Sequence, residues 1–285
     1  MSARLNVLGR ISAAAACGLA ALVAFGGGAS AQGRLEARYV VTLAGLPIGT
    51  GNWVIDIGDD KYTAAASGKT TGLLRIFADG EGTSASRGTV SHGNLVPASY
   101  ASNITTGKKT EDLRITLAGG NVKDYVIDPP SPPQPDRIPV TEAQRRGVVD
   151  PMSGSLNRVA GNGEMLGPAA CSHKASIFDG RMRYDLKLAY KRMDTVKAEK
   201  GYEGRAVVCA LYFVPIAGYV PQRKAIKYLV AQRDMEIWLV PIAGTRVMVP
   251  FRFSVPTPLG IGLLEATEFV TTAKPSRAAA NVKIQ

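Results

Sequence analysis

The chain is poor in the side chains that most chemistry needs. Its 285 residues include two histidines, His92 and His173, and three cysteines, Cys17, Cys171 and Cys209. A zinc site takes three or four ligands, and Cys171-x-His173 supplies half of one. No further His/Cys group is present, so no metal is expected. A thiol nucleophile must stay reduced, and Cys209 is available to oxidise Cys171. Ser153 and Ser155 fall into no triad order. Residues 80–88 are rich in Gly, Ser and Thr but lack the Gly-Lys-Ser/Thr ending of a phosphate loop. Hence no catalytic residue and no cofactor is expected.

Long apolar runs are also scarce. Residues 11–25 form one, too short to span a bilayer as a helix. Arg4 and Arg10 precede it and Ala29-Ser30-Ala31 follows, the pattern of a secretory signal, with cleavage expected between Ala31 and Gln32. Cys17 lies inside the run, where lipoprotein processing would be misplaced, and leaves with the leader. No second such run exists, so the mature form is not expected to span a membrane. Acid is in deficit too. Lys and Arg number 34 against 23 Asp and Glu, a net charge of +11, and loss of Arg4 and Arg10 leaves +9. The basic residues are spread among acids rather than clustered, which argues against nucleic acid. Anionic envelope lipids or other polyanions are the fairer partner class.

What the chain does have is period-two alternation, the mark of half-buried antiparallel strands. Leu35, Ala37, Tyr39, Val41 and Leu43 share one face. The residues 45–49, with Gly at each end, should break that run. Trp53, Ile55 and Ile57 resume it, a turn follows at Gly58-Asp59-Asp60, and residues 61–70 pair back. Residues 73–77 suit a short helix or a plugging loop. Residues 97–104 and 109–117 read as strands, with Leu113, Ile115 and Leu117 facing together. Gly119-Gly120-Asn121 marks a hairpin, and residues 122–127 return.

Residues 129–139 carry Pro129, Pro130, Pro132, Pro133, Pro135 and Pro139, which excludes a central strand. They read as a semi-rigid connector joining halves 32–128 and 140–273 of one β-rich domain spanning 32–285. A helical turn is expected at 141–146. Asp150-Pro151 is an N-cap followed by Pro at the first helical position, and that helix should run to about Ala160. A hairpin is expected at Phe178-Asp179-Gly180. The next segment places Met182, Tyr184, Leu186, Leu188 and Tyr190 on one face, with Arg181, Arg183, Asp185, Lys187 and Lys191 opposite. Cys171 and Cys209 flank it, and two cysteines in an exported chain are expected to bond. Val214-Pro215-Ile216-Ala217-Gly218 recurs as Val240-Pro241-Ile242-Ala243-Gly244, two strand ends turning through a glycine. A short helix is expected over 223–233. Residues 246–255 alternate strictly, with Pro250 marking an edge or bulge, and 261–270 form the last strand before a polar tail.

A curved sheet that does not quite close can leave an apolar cleft. Tyr184, Leu186, Trp238, Phe251, Phe253 and Glu265 are the candidate cleft residues. Glu265 shares a face with apolar neighbours, where an acid more often pairs with an arginine such as Arg252. His92 reads as an exposed turn residue.

At Tyr39-x-Val41-x-Leu43-x-Gly45-Leu46-Pro47-Ile48-Gly49 the chain resembles a bacterial envelope family, the domain of unknown function 3108. Asp150-Pro151-x-Ser153, the Tyr184 strand and residues 255–260 look like its later segments. The resemblance implies an exported, mainly β protein with a strongly curved, open or incompletely closed antiparallel sheet and a few short helices. It implies no catalytic residue. A similar spiral-like architecture belongs to periplasmic envelope-integrity proteins with one disulfide. The expectation is a soluble periplasmic protein that binds an envelope protein or a lipid-like ligand. The alternatives are an envelope hydrolase near His173 or Glu265 and a purely structural role.

Overall fold

The structure, a computed structural model, describes residues 32–72 and 79–274. The leader with its Ala31/Gln32 cleavage, the reading of residues 73–77 and the tail after Lys274 lie outside the described residues.

The first half is a meander. It comprises β1 (Gln32–Leu43), β2 (Leu46–Ile57), β3 (Lys61–Thr70), β4 (Gly80–Ser91), β5 (Asn94–Thr106), β6 (Lys109–Ala118) and β7 (Asn121–Asp128). The second half contains α1 (Pro151–Gly154), β8 (Asn157–Arg158), β9 (Lys174–Phe178), β10 (Arg183–Lys197), β11 (Lys200–Gly201) and β12 (Glu203–Ala217). It ends with α2 (Lys224–Ala231), β13 (Glu236–Pro241), β14 (Val247–Thr257) and β15 (Gly260–Lys274). One sheet runs through both halves in the order β7-β6-β5-β4-β3-β2-β1-β15-β14-β13-β12-β10-β9. The first and last strands therefore meet in the middle, where β1 lies between β2 and β15. Among the described residues every ladder is antiparallel except the two-residue pairing of β11 with β15.

The sheet is open, and its ends are joined by a strap rather than a ladder. Arg146 bridges to Asn121 beside β7, and the Val148 N–H donates to Gly120 O at 2.7 Å. Val149 bridges to Ile177 in β9, donating to Ser176 O at 2.8 Å and accepting from Phe178 N–H at 3.0 Å. Behind this seam Leu113, Ile115, Leu117, Val148 and Phe178 form a small core. Tyr125 meets Phe178 edge-on at 5.2 Å between centroids, and Glu111 pairs with Arg181 across the gap.

In the second half the middle of β12 is covered on both sides. Residues 206–211 of β12 are all buried, which explains their unbroken apolar run. Ala206 and Val208 join the main core, while Val207 and Cys209 face a second cluster with Leu239, Met248, Val159 and Cys171. The segment after β8 forms that outer cover, ending in a 3-10 turn at Pro168–Cys171. The Cys171–Cys209 disulfide fastens it. The strand between the cysteines is thus not clasped by them; the bond holds a cover against its neighbour.

Several expectations are met. Leu35, Ala37, Tyr39, Trp53, Ile55 and Ile57 are buried. The repeated pentapeptides end alike, Gly218 and Gly244 having φ of 79° and 75°. A Cβ on Gly218 would lie 1.9 Å from Arg181 O, and one on Gly244 would lie 2.4 Å from Gln32 O, so only glycine fits either turn. Pro250 lies at a register shift between β13 and β14. Other expectations are corrected. The 45–49 break shrinks to a turn at Ala44-Gly45, and the strand resumes at Leu46 with a bulge where Thr42 faces Pro47. The helix at Asp150 stops at Gly154, not near Ala160. Gly154 abuts Ile177, where a Cβ would come within 2.7 Å of Cδ1. The chain then extends to pair with Val247 and Met248, satisfying backbone groups on the β14 edge that a longer helix would leave unpaired. In β10, Asp185 is buried beside Arg183, Ser176 and Lys174, and Tyr190 is 42% exposed. Both faces there are half-covered, so the simple in–out division fails. Residues 80–88 form the greater part of β4.

The disulfide closes a loop of 38 residues' separation. Reduction, or replacement of both cysteines by alanine, should lower stability by roughly 3–4 kcal/mol in the chain-entropy account. Urea denaturation with and without reductant measures this. A loss of less than about 1 kcal/mol would mean that the cover holds without its bond.

Candidate functional site

The site is built from missing side chains. Residues directly opposite in an antiparallel pair share a face, so ladders can be read across the sheet as rungs. One rung runs Leu35–Ile55–Ala64–Ser86–Tyr100, and the next runs Ala37–Trp53–Ala66–Ser84–Ser102. The third runs Tyr39–Gly51–Gly68–Gly82–Ile104. Three successive glycines leave the middle of that rung bare. A cavity of about 500 Å³ occupies the space, lined there by Tyr39, Trp53, Ile104 and the glycines. Val41 and Leu264 add apolar wall, and Pro151 and Met152 of α1 with Pro250 close it opposite. Ile104, 50% exposed, stands at its mouth.

α1 is held in place by a buried polar cluster. Asp150 is fully buried and caps the helix, its Oδ1 accepting from Ser153 N–H at 2.9 Å. Its Oδ2 accepts from Ser153 Oγ at 2.6 Å and from Ser86 Oγ at 3.0 Å. Tyr62 OH lies 2.7 Å from Ser153 Oγ. Burial pushes the Asp150 carboxyl above its usual range against these hydrogen bonds, and pushes the Tyr62 phenol up to about 12. The Trp53 indole N–H points at Met152 Sδ at 3.0 Å. The carboxyl's partners are hydroxyls and a backbone N–H. These bonds tie α1 to Tyr62 of β3 and Ser86 of β4.

The residues expected to form a cleft do not line this cavity and are not gathered in one place. Tyr184 packs on Phe213 at 5.4 Å, and Leu186 lies opposite Phe213. Phe251 is fully buried against Phe269 and Tyr202. Phe253 faces Ile237 and Leu264 across its two ladders. Trp238 is sandwiched by the guanidiniums of Arg192 and Arg252, 5.5 and 5.1 Å from its ring, and donates to Asp194 at 2.8 Å. Glu265 pairs with Arg252. Glu236 completes the stack, held to about 2 by Arg192 and Lys191. His173 is pushed below its usual range by burial. Exposed His92 stands in a turn, 3.2 Å from Ser91 Oγ. Among the described residues no group of three His, Cys, Asp or Glu could hold a metal ion, and no helix is long and apolar enough to cross a membrane.

The fold and this cavity define a barrel-like protein made from one open, strongly curved antiparallel sheet. The chain belongs to the family described as protein of unknown function (DUF3108), whose model matches residues 38–267. No curated protein matches it. Among solved structures it is similar to a beta-barrel-like protein of domain of unknown function DUF1849 from Brucella abortus. The identity is 9%, the match covers 86% of this chain and 98% of that one, and the TM-score is 0.44.

Two outcomes follow from these clusters. Asp150→Ala removes a cap and the buried charged acceptor of the Ser86 and Ser153 hydroxyls, which keep only each other and Tyr62, so urea denaturation should show a loss of about 2–4 kcal/mol. A loss of a few tenths would show that the cap carries no more than a surface one. Glu236 has a depressed folded pKa, so its contribution is present above the ordinary glutamate value and lost as pH falls through about 2. The stability gap between wild type and Glu236→Gln should narrow as pH falls from about 4. A gap independent of pH in thermal melts would contradict the ion pairing.

Proposed function

We propose that this is an exported, periplasmic envelope protein that holds the apolar chain of an amphiphile without chemistry, in support of envelope integrity. The observation that carries the reading is the bare Gly51–Gly68–Gly82 rung. Its cavity of about 500 Å³ lies in the range of small-molecule sites, about 300–1,000 Å³. A folding requirement alone would fill those positions, because glycine in a strand interior weakens it. The basic, apolar-led N-terminal segment and the Cys171–Cys209 bond support export to an oxidising compartment. Partner binding by strand addition has less support, since the 146–149 strap already bridges the end strands at Asn121 and Ile177.

Gly68 offers the test. A Cβ there meets only Thr50 O, at 3.4 Å, so a larger side chain enters the cavity without displacing the wall. Native mass spectrometry of protein purified from the periplasm should show a co-purifying amphiphile. Gly68→Leu should lose it while melting at or above the wild-type temperature, because the substitution also adds buried apolar surface. An empty wild-type protein whose stability is unaffected by added amphiphiles sinks the proposal, as does a Gly68→Leu variant that still carries ligand.

A further inference from the structure

We infer that the end of the sheet around the cavity mouth docks on an anionic lipid surface. Three exposed apolar residues stand there on two hairpin turns: Leu46 at 69%, Leu259 at 75% and Ile261 at 57% exposure. The turns touch. Ala44 N–H donates to Ile261 O at 2.9 Å, and a Cβ on Gly260 would lie 2.8 Å from that of Ala44. α2 adjoins them, since Tyr228 OH donates to Pro256 O at 3.2 Å and Pro256 pairs with Ile261. No residue of α2 is buried, and Val230 is 40% exposed. Apolar surface of this extent on neighbouring tips marks an interaction site.

The charge on this end selects the occupant. Residues 40–55, 206–232 and 255–264 contain no Asp or Glu. Arg223, Lys224, Lys227 and Arg233 supply the charge around α2. Arg223 donates to Gln134 Oε1, Lys227 to Gln222 Oε1, and Arg233 to the carbonyls of Val230 and Gln232. These partners are neutral oxygens, and the one acid beside α2, exposed Asp234 next to Arg233, leaves Arg223, Lys224 and Lys227 in excess. Glu81, at the neighbouring end of β4, stands opposite Lys69. A basic helix without buried residues beside protruding leucine and isoleucine is the composition of an interfacial anchor. An acidic protein partner would suit the cations but leave the apolar tips unexplained, and a zwitterionic membrane would do the reverse.

The geometry also joins this surface to the cavity. Leu264 lines the cavity and Ile261 lies three residues along the same strand, about 10 Å away. An acyl chain leaving the bilayer at this end would meet the cavity along its Val41 and Leu264 wall. The inference deepens the amphiphile reading by naming the source of the ligand and rests on it for that step alone.

Vesicle flotation tests the docking, using the purified chain beginning at Gln32, the first residue of the sheet. Vesicles of phosphatidylglycerol mixed with phosphatidylcholine are compared with phosphatidylcholine alone, at low and raised salt. The wild type should float with the anionic vesicles and about tenfold less with the neutral ones, and salt should weaken it. Leu259→Ser/Ile261→Ser and Lys224→Glu/Lys227→Glu should each reduce flotation by about tenfold or more with unchanged circular dichroism. Gly68→Leu should float like the wild type, so a failure of the cavity reading is told apart from a failure of docking. Absence of flotation, equal flotation on both vesicle types, or Leu259→Ser/Ile261→Ser and Lys224→Glu/Lys227→Glu variants that float like the wild type would each overturn the inference.

Discussion

The arrangement depends on one buried carboxylate. An open sheet of this length has two ends that need partners, because unpaired strand edges invite further pairing. The 146–149 strap bridges each end once, at Asn121 and Ile177, and Asp150 anchors it through three accepted hydrogen bonds inside the barrel. The same residue starts α1, which forms one side of the cavity. Sealing the seam and bounding the cavity are therefore one structural act. A regular strand in the strap's place would complete the ladder, but it would carry no helix into the interior. The short α1 keeps Met152 and Pro151 against the bare rung while its cap holds the wall at Ser86.

The two halves solve opposite packing problems. In the second, β12 is covered on both faces, and the large side chains Phe251, Phe269 and Trp238 fill the space between strands. The disulfide restrains the outer cover. In the first half the inner positions of β2 to β4 shrink from Ile55, Ala64 and Ser86 to Gly51, Gly68 and Gly82 along the strands. Backbone hydrogen bonds hold that wall in place of side-chain contacts. The curved sheet thus has a dense side that gives stability and a thin side that leaves room.

Much of the fold was legible because alternation survives in most strands. Leu35, Ala37, Tyr39 and the Leu113, Ile115, Leu117 set face the core as their spacing requires, and the Asp150-Pro151 cap is where the residue types place it. The helix length was not legible, since Gly154 is limited by Ile177, a residue distant in sequence. The face of Asp185 was hidden for a similar reason: its partners Ser176 and Lys174 lie across a ladder. The cavity escaped because aromatic and apolar residues were sought, and those fill space. Trp238 and Phe251 are bound up in stacks of their own. The usable signal was small residues at period two, Ala64-x-Ala66-x-Gly68 and Gly80-x-Gly82-x-Ser84-x-Ser86-x-Gly88. As a flexible loop, the stretch from Gly80 to Gly88 is uninformative. As a strand, it is a wall that carries nothing larger than serine on its inner face.

Glycine therefore has a different meaning in such a sheet. Gly51, Gly68 and Gly82 do not need unusual backbone angles, and none has a positive φ. A Cβ at each would meet only ordinary or slightly tight contacts, 3.2 to 3.4 Å from a neighbouring strand's carbonyl. Turn geometry does not demand glycine there, and the approach at Gly51 and Gly82, 3.3 and 3.2 Å, is far milder than at Gly218 and Gly244, where a Cβ would overlap backbone. Glycine costs a strand about 0.5–1 kcal/mol relative to alanine, and three in one rung repeat that cost without a local structural return. The compensation has to lie in the empty volume itself. This is the physical ground for placing the proposed ligand against the bare rung rather than among the aromatic residues of the second half.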